Sequence, residues 1–279
     1  MRISGLVVGV LFPLLAMDNA EVRGRWILEE AIKNKSPETR KHAAAAFGLL
    51  PVKDALTAQL ATLINDPDVP VRLATVAALS DLAGAAQISL LEGALQDKVP
   101  EVAFAAARSL YNLKRPTGRE ALLAVVEKES KTTSNVIPRE MRNYMRQLKT
   151  PTAAMMLAVR EGVGFAPVPG LGFGVNAALT MFNDNELTGR AVALLALAAD
   201  KDPRVQAAAR DALGDSEWPV RAAAIHVMAV TNQAALRERI IELLDDKKEQ
   251  VRFRAAAASI RLALTPAAPL KPAAAPKKK

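Results

Sequence analysis

An aspartate and an arginine six residues apart recur along this chain with a fixed period. The pairs are Asp66–Arg72, Asp184–Arg190, Asp215–Arg221 and Asp246–Arg252, and the last three arginines are spaced by 31. Asp97 keeps the register 31 residues after Asp66, although Ala103 stands where its arginine would be. Arg40 lies 32 residues before Arg72, with Asn34 in the acidic slot. Self-similarity at a period between about 20 and 50 residues marks a stacked array of small units, none of which can bury its apolar face alone.

The residues after each arginine say what the unit is. They read VRLATVAALSDL, VRAAAIHVMAV and VRFRAAAASIRL, with TRKHAAAAFGLL and TGRAVALLALAA as looser copies. Three residues past the arginine the side chain is small: Ala43, Thr75, Ala106, Ala193, Ala224, Ala255. Seven past it is mostly bulky: Phe47, Leu79, Leu110, Leu197, Met228. This spacing predicts a helix with a closely approaching face and an apolar stripe. A second amphipathic helix precedes each aspartate, as in Leu56, Leu60, Leu63 and Ile64, or Leu236, Ile240, Ile241 and Leu244. Two helices and two tight turns fill the period. Pro37, Pro67, Pro70, Pro100 and Pro219 fall where a helix begins, the one part of a helix that tolerates proline.

The charged pairs have a structural use in such a hairpin. The aspartate sits at the turn, where it can cap free N–H groups of the following helix. The arginine one turn in can hold that carboxylate or the next repeat's turn with its forked donors.

The segments DPDVPVRLATVAAL (66–79), DSEWPVRAAAIHVM (215–228) and DDKKEQVRFRAAAASI (245–260) resemble the HEAT repeat. The likeness is to its short bacterial form, also found in phycobilisome-lyase-like proteins, and it spans about residues 25–113 and 175–263. It implies a right-handed α-solenoid with first helices on the convex side and second helices lining the concave side. It says little about function.

Composition agrees with an all-α array of about seven hairpins. Alanine is abundant and aromatics are only 4%, which suits many close helix contacts. The net charge of +8 is uneven: Lys271, Lys277, Lys278 and Lys279 lie in an acid-free tail, leaving +4 on the rest. A basic balance therefore gives little support to a nucleic-acid partner. The Pro/Ala/Lys tail, 264–279, cannot build a core. Residues 1–20 carry one cation, Arg2, then the apolar run Ile3–Met17 and small residues at Ala16 and Ala20. This is the pattern of a secretory signal, the run is short for a membrane span, and no transmembrane span is expected in the mature chain. Export is the expectation, and a buried capping helix in a cytoplasmic protein is the alternative. The absence of cysteine excludes disulfides, thiol catalysis and zinc–thiolate sites.

The regular blocks are 21–113 and 184–263. Between them, 114–183 breaks the period, since Asp97 and Asp184 are 87 residues apart, six short of three periods. This stretch holds Arg139, Arg142, Tyr144, Arg146 and Arg160 and an uncharged loop, Gly162–Gly174, with five glycines. No Gly-Lys-Ser/Thr follows GLGFG, so a phosphate cradle is not indicated.

No catalytic apparatus is visible. The two histidines, His42 and His226, stand in different repeats, and no HExxH or GxSxG occurs. No catalytic residue, cofactor or metal ligand is assigned. What remains is a surface. Leu73, Phe104 and Phe253, one residue past the arginine slot, and Arg108 and His226, five past it, fall where the inner face of a short-repeat solenoid shows polar groups. They are the candidate partner-binding residues. The expected function is a monomeric, non-enzymatic scaffold for a protein or peptide on the concave face. The alternatives are an accessory subunit of an enzyme, lyase-like or oxidoreductase-associated, and a weak nucleic-acid binder through the tail.

Overall fold

The computed structural model describes residues 18–126 and 189–264, apart from 199 and 201. Outside them lie most of the expected signal segment, the central stretch after 126 with its Gly/Pro loop, Asp184 and the tail. The described residues form helices and no strand. The first block holds α1 (Asn19–Ile32), α2 (Pro37–Phe47), α3 (Leu60–Leu63), α4 (Val69–Leu82), α5 (Ala85–Ala94), α6 (Pro100–Asn112) and α7 (Pro116–Val126). The second holds α8 (Gly189–Ala196), α9 (Pro203–Ala212), α10 (Trp218–Val230), α11 (Arg237–Glu242) and α12 (Glu249–Ala263).

The second helix of a hairpin carries the arginine position and is longer than the first in α3–α4, α5–α6, α9–α10 and α11–α12, whereas α1 is longer than α2. These second helices begin on proline at the first or second position in α2, α4, α6 and α10. Three of them stop on a left-handed residue without a glycine: Ala83 (φ 52°), Lys114 (φ 58°) and Asn232 (φ 54°). After Lys114 and Asn232 the next N–H turns back to the helix, Arg115 to the Leu110 carbonyl at 2.8 Å and Gln233 to that of Met228 at 2.9 Å. These bonds satisfy carbonyls that a helix end leaves open.

The outer helices are less regular than the periodicity predicts. α3 is entered through a 3₁₀ turn at Ala55–Gln59, and α11 is flanked by 3₁₀ turns at Ala234–Leu236 and Leu243–Asp245. The apolar positions are nevertheless buried: Leu56, Leu60, Leu63, Leu236, Ile240 and Leu244. The small-residue face behaves as expected at Ala43, Thr75, Ala106, Ala224 and Ala255, all buried, because alanines let helix axes approach. In α8 the register is different. Ala193 is exposed, and Leu197, expected in the core, lies past the helix end and is 42% exposed.

Stacking order departs from chain order. Within the blocks, α2 packs on α4, α4 on α6, α8 on α10 and α10 on α12. The blocks then meet through the two ends of the described chain: α12 packs on both α1 and α2. That is the relation α4 has to α5 and α6, so the last hairpin precedes the first as any repeat precedes the next. The described helices thus form one stack, ordered α8, α10, α12, α2, α4, α6, with the junction of first and last repeats inside it.

Candidate functional site

Four joints of the stack are built around an arginine, and the structure decides which carboxylate it takes. Arg40 Nε and Nη2 donate to Asp66 at 2.8 and 2.9 Å. Arg72 reaches Asp97 at 2.8 and 3.2 Å, and Arg221 reaches Asp246 at 2.8 and 2.9 Å. Arg190 reaches Asp215 at 2.5 Å. In each case the partner is the aspartate of the next repeat, 26 residues on for Arg40 and 25 for the other three. The arginine's own aspartate, six residues back, offers only its backbone: Nη1 of Arg72 donates to the Asp66 carbonyl at 2.8 Å and Nη1 of Arg221 to that of Asp215 at 2.7 Å. The guanidinium groups of Arg40, Arg72 and Arg221 therefore each clip two successive turns together, bidentate on the far side.

The aspartates do not cap the helices themselves. Asp66, Asp97, Asp215 and Asp246 each accept from the N–H two residues on, at 2.7–3.0 Å. This is an Asx turn that closes the bend before the helix. The caps are other residues, such as Asp18, Ser36 and Asp68. For Asp66 and Asp246, burial raises the carboxyl, but Arg40 and Arg221 with the turn N–H groups outweigh it and hold both below 3.8. Asp215 is held down chiefly by Arg190.

The inner face is closed rather than open. Leu73, His226 and Phe253 are 4%, 2% and 5% exposed. Expected as a concave surface, they are core, because alanine-rich helices approach too closely to leave a groove between them. Phe104 is half-buried against the core, and Arg108 is half-buried with burial depressing its guanidinium. At the centre, Arg254 donates to Nδ1 of His226 at 3.1 Å. Burial, then the cations of Arg254 and Arg261, hold His226 neutral, well below 6.5. Burial also lowers Arg254 to about 10 against the opposing pull of Asp81.

The junction between α12 and the first hairpin has its own chemistry, invisible in the period. Arg23 forms an ion pair with Asp245, and Arg237 donates to Asp18 at 2.9 Å. Glu249 of α12 accepts from Thr39 at 3.2 Å and lies 2.9 Å from Nδ1 of His42, whose Nε2 is 3.0 Å from Glu38. His42 holds the Glu38 carboxyl down at about 2 against the effect of burial. Gly24 lets α1 lie against α12: a Cβ there would be 3.1 Å from the Ala256 carbonyl and from Ser259 Oγ. Reading the repeats one by one missed these residues. Asn34 in an acidic slot was the single available signal.

Among the described residues, no three His, Cys, Asp or Glu side chains are grouped to hold a metal ion, and no helix is long and apolar enough to cross a membrane. A family model described as HEAT repeats matches the chain at residues 24–110 and again at 57–137. No curated protein matches it.

Proposed function

We propose that this chain, a HEAT-repeat protein, is a non-catalytic scaffold that binds a protein or peptide partner. The HEAT match carries the reading, since such repeats generally serve as protein-interaction scaffolds. The use of the array's own charges supports it. Arg40, Arg72, Arg190 and Arg221 are engaged by carboxylates of the next turn, whereas a phosphate-backbone binder presents its cations to the ligand. With Leu73, His226 and Phe253 in the core, the binding surface narrows to residues that keep exposure. On α6 these are Phe104 and Arg108, continued by Tyr111, which is 47% exposed.

The test is affinity capture with the whole chain from an extract of its source, read by mass spectrometry beside Phe104→Ser and Tyr111→Ser variants. The expected result is a protein retained by the wild type and lost in the variants, with melting temperatures within a few degrees of each other. Recovery of the same proteins by wild type and variants would reject this surface. A salt-sensitive mobility shift with added polyanion, and no protein retained, would replace the scaffold reading by nucleic-acid binding.

A further inference from the structure

Asp18 stands immediately before α1 and serves both the start of that helix and its neighbours. Its Oδ1 accepts from the Glu21 N–H at 2.7 Å, and its carbonyl accepts from the Val22 N–H at 3.1 Å. These are donors that a helix start otherwise leaves open. Its two carboxylate oxygens also take the guanidinium of Arg237, at 2.5 and 2.9 Å. The Arg237 side chain is 13% exposed, and its Nε donates to the Ser259 carbonyl at 2.9 Å. Asp18 therefore caps α1 and, through Arg237, ties it to α11 and α12. The next residues are already part of the folded body. Ala20 lies within α1, and Glu21 is buried and takes Arg25 at 3.0 Å.

The expected secretory segment offers two places for a processing cut, after Ala16 and after Ala20. The fold separates them. A cut after Ala20 would discard Asp18 and place a new ammonium on Glu21, in the first turn of α1. The helix would lose its cap and gain a positive charge at the end its dipole keeps for anions. Arg237 would lose its carboxylate while remaining mostly covered. Such a cut would also set the charged Asp18 three residues before the new carboxyl end, where processing sites carry a small residue. A cut after Ala16 puts the uncharged Leu14 in that place and leaves Asp18, with everything it holds, in the mature chain.

We propose that the chain is processed between Ala16 and Met17, so that the mature protein begins at Met17 and retains Asp18 as the cap of α1. The step is hydrolysis by a membrane-bound signal peptidase. The peptide bond from the Ala16 carbonyl to the Met17 nitrogen breaks, and water supplies the hydroxyl of the new carboxyl group and the proton of the new amine. It rests on the export expected from residues 1–20 and is independent of the scaffold reading.

Expression of the full chain in an exporting bacterial host, with N-terminal sequencing and intact mass of the product, tests it. The wild type is expected to begin at Met17. Ala16→Leu, which puts bulk at the scissile bond, should abolish that terminus, and Ala20→Leu should leave it unchanged. Asp18→Ala should be cut at the same bond but melt about 2–4 °C lower, since it loses the cap and the Arg237 pair. A wild-type product beginning at Glu21, or one intact from Met1, would overturn the proposal. So would an Ala16→Leu chain that still begins at Met17, or an Ala20→Leu chain that does not. An Asp18→Ala protein melting with the wild type would remove the reason for retaining Asp18 and would overturn it equally.

Discussion

At the scale of single residues, the structure reverses an order that spacing suggests. Counting six residues forward pairs Asp215 with Arg221 and leaves Asp97, opposite Ala103, with nothing to lose. In fact Asp97 is bonded twice by Arg72, whose side chain is 5% exposed, while the Arg190 side chain facing Asp215 is 60% exposed. Removing one member of a buried pair strands the other charge. Asp97→Ala is therefore expected to cost about 3 kcal/mol and Asp215→Ala about 1 kcal/mol. Thermal melts of the two variants check this, and equal shifts would refute it. His226 allows a second prediction. Its folded pKa lies below the ordinary 6.5, so its contribution to stability is full above pH 6.5 and declines as pH falls and the unfolded chain takes up the proton. With only two histidines in the chain, NMR can follow this ring directly. Its carbon shifts should stay constant from pH 7.5 to 5, and a midpoint near 6.5 would place it in water.

At the scale of elements, two glycines in helices should respond oppositely to added bulk. Gly93 in α5 has open space around its missing Cβ. Gly93→Ala should therefore raise stability by about 0.5 kcal/mol through helix propensity alone. Gly24 in α1 faces the α12 backbone at 3.1 Å, and a backbone carbonyl cannot swing aside. Gly24→Leu must push the helices apart and should lower stability by about 2 kcal/mol or more. Denaturant melts of both variants test the pair. A stabilised Gly24→Leu would mean that α1 does not lie on α12.

At the scale of the whole molecule, the stack order makes distant parts of the chain neighbours. In a linear array with α12 at one end, damage to α12 would spread only to α11 and α10. Here α12 also covers α1 and α2. Phe253→Ala, a cavity in the buried face of α12, should cost about 3 kcal/mol. It should reduce hydrogen-exchange protection in α1 and α2 as much as in α10, because stability in such arrays is a sum over neighbouring joints. Protection lost only in α10 and α11 would contradict the end-to-end packing. Acid should act on the array as a unit. Asp66, Asp215 and Asp246 are all held below 3.8. Their contribution is present above that value and disappears as pH falls through their lower folded values. A melting temperature that drops steeply below pH 4, beyond the shallower loss below 6.5 from His226, is the expected profile.

The sequence by itself determined the all-α class, the hairpin unit, the helices that carry the arginines and the existence of a charged ladder. These follow from side-chain spacing within one repeat, and spacing is local. Asp66, Asp97, Asp215 and Asp246 were legible as turn residues, and Ala43, Ala224 and Ala255 as close-contact positions, for that reason. Only the tertiary structure decided which carboxylate each arginine takes, since the two choices differ by one repeat and the period is the same for both. Only it decided that Leu73, His226 and Phe253 lie in the core, because closure of the inner face depends on how closely the helices approach. The junction of α12 with the first hairpin is the clearest case. Whether the last repeat meets the first depends on the path of the whole stack, and small rotations summed over many joints leave no mark in any single one.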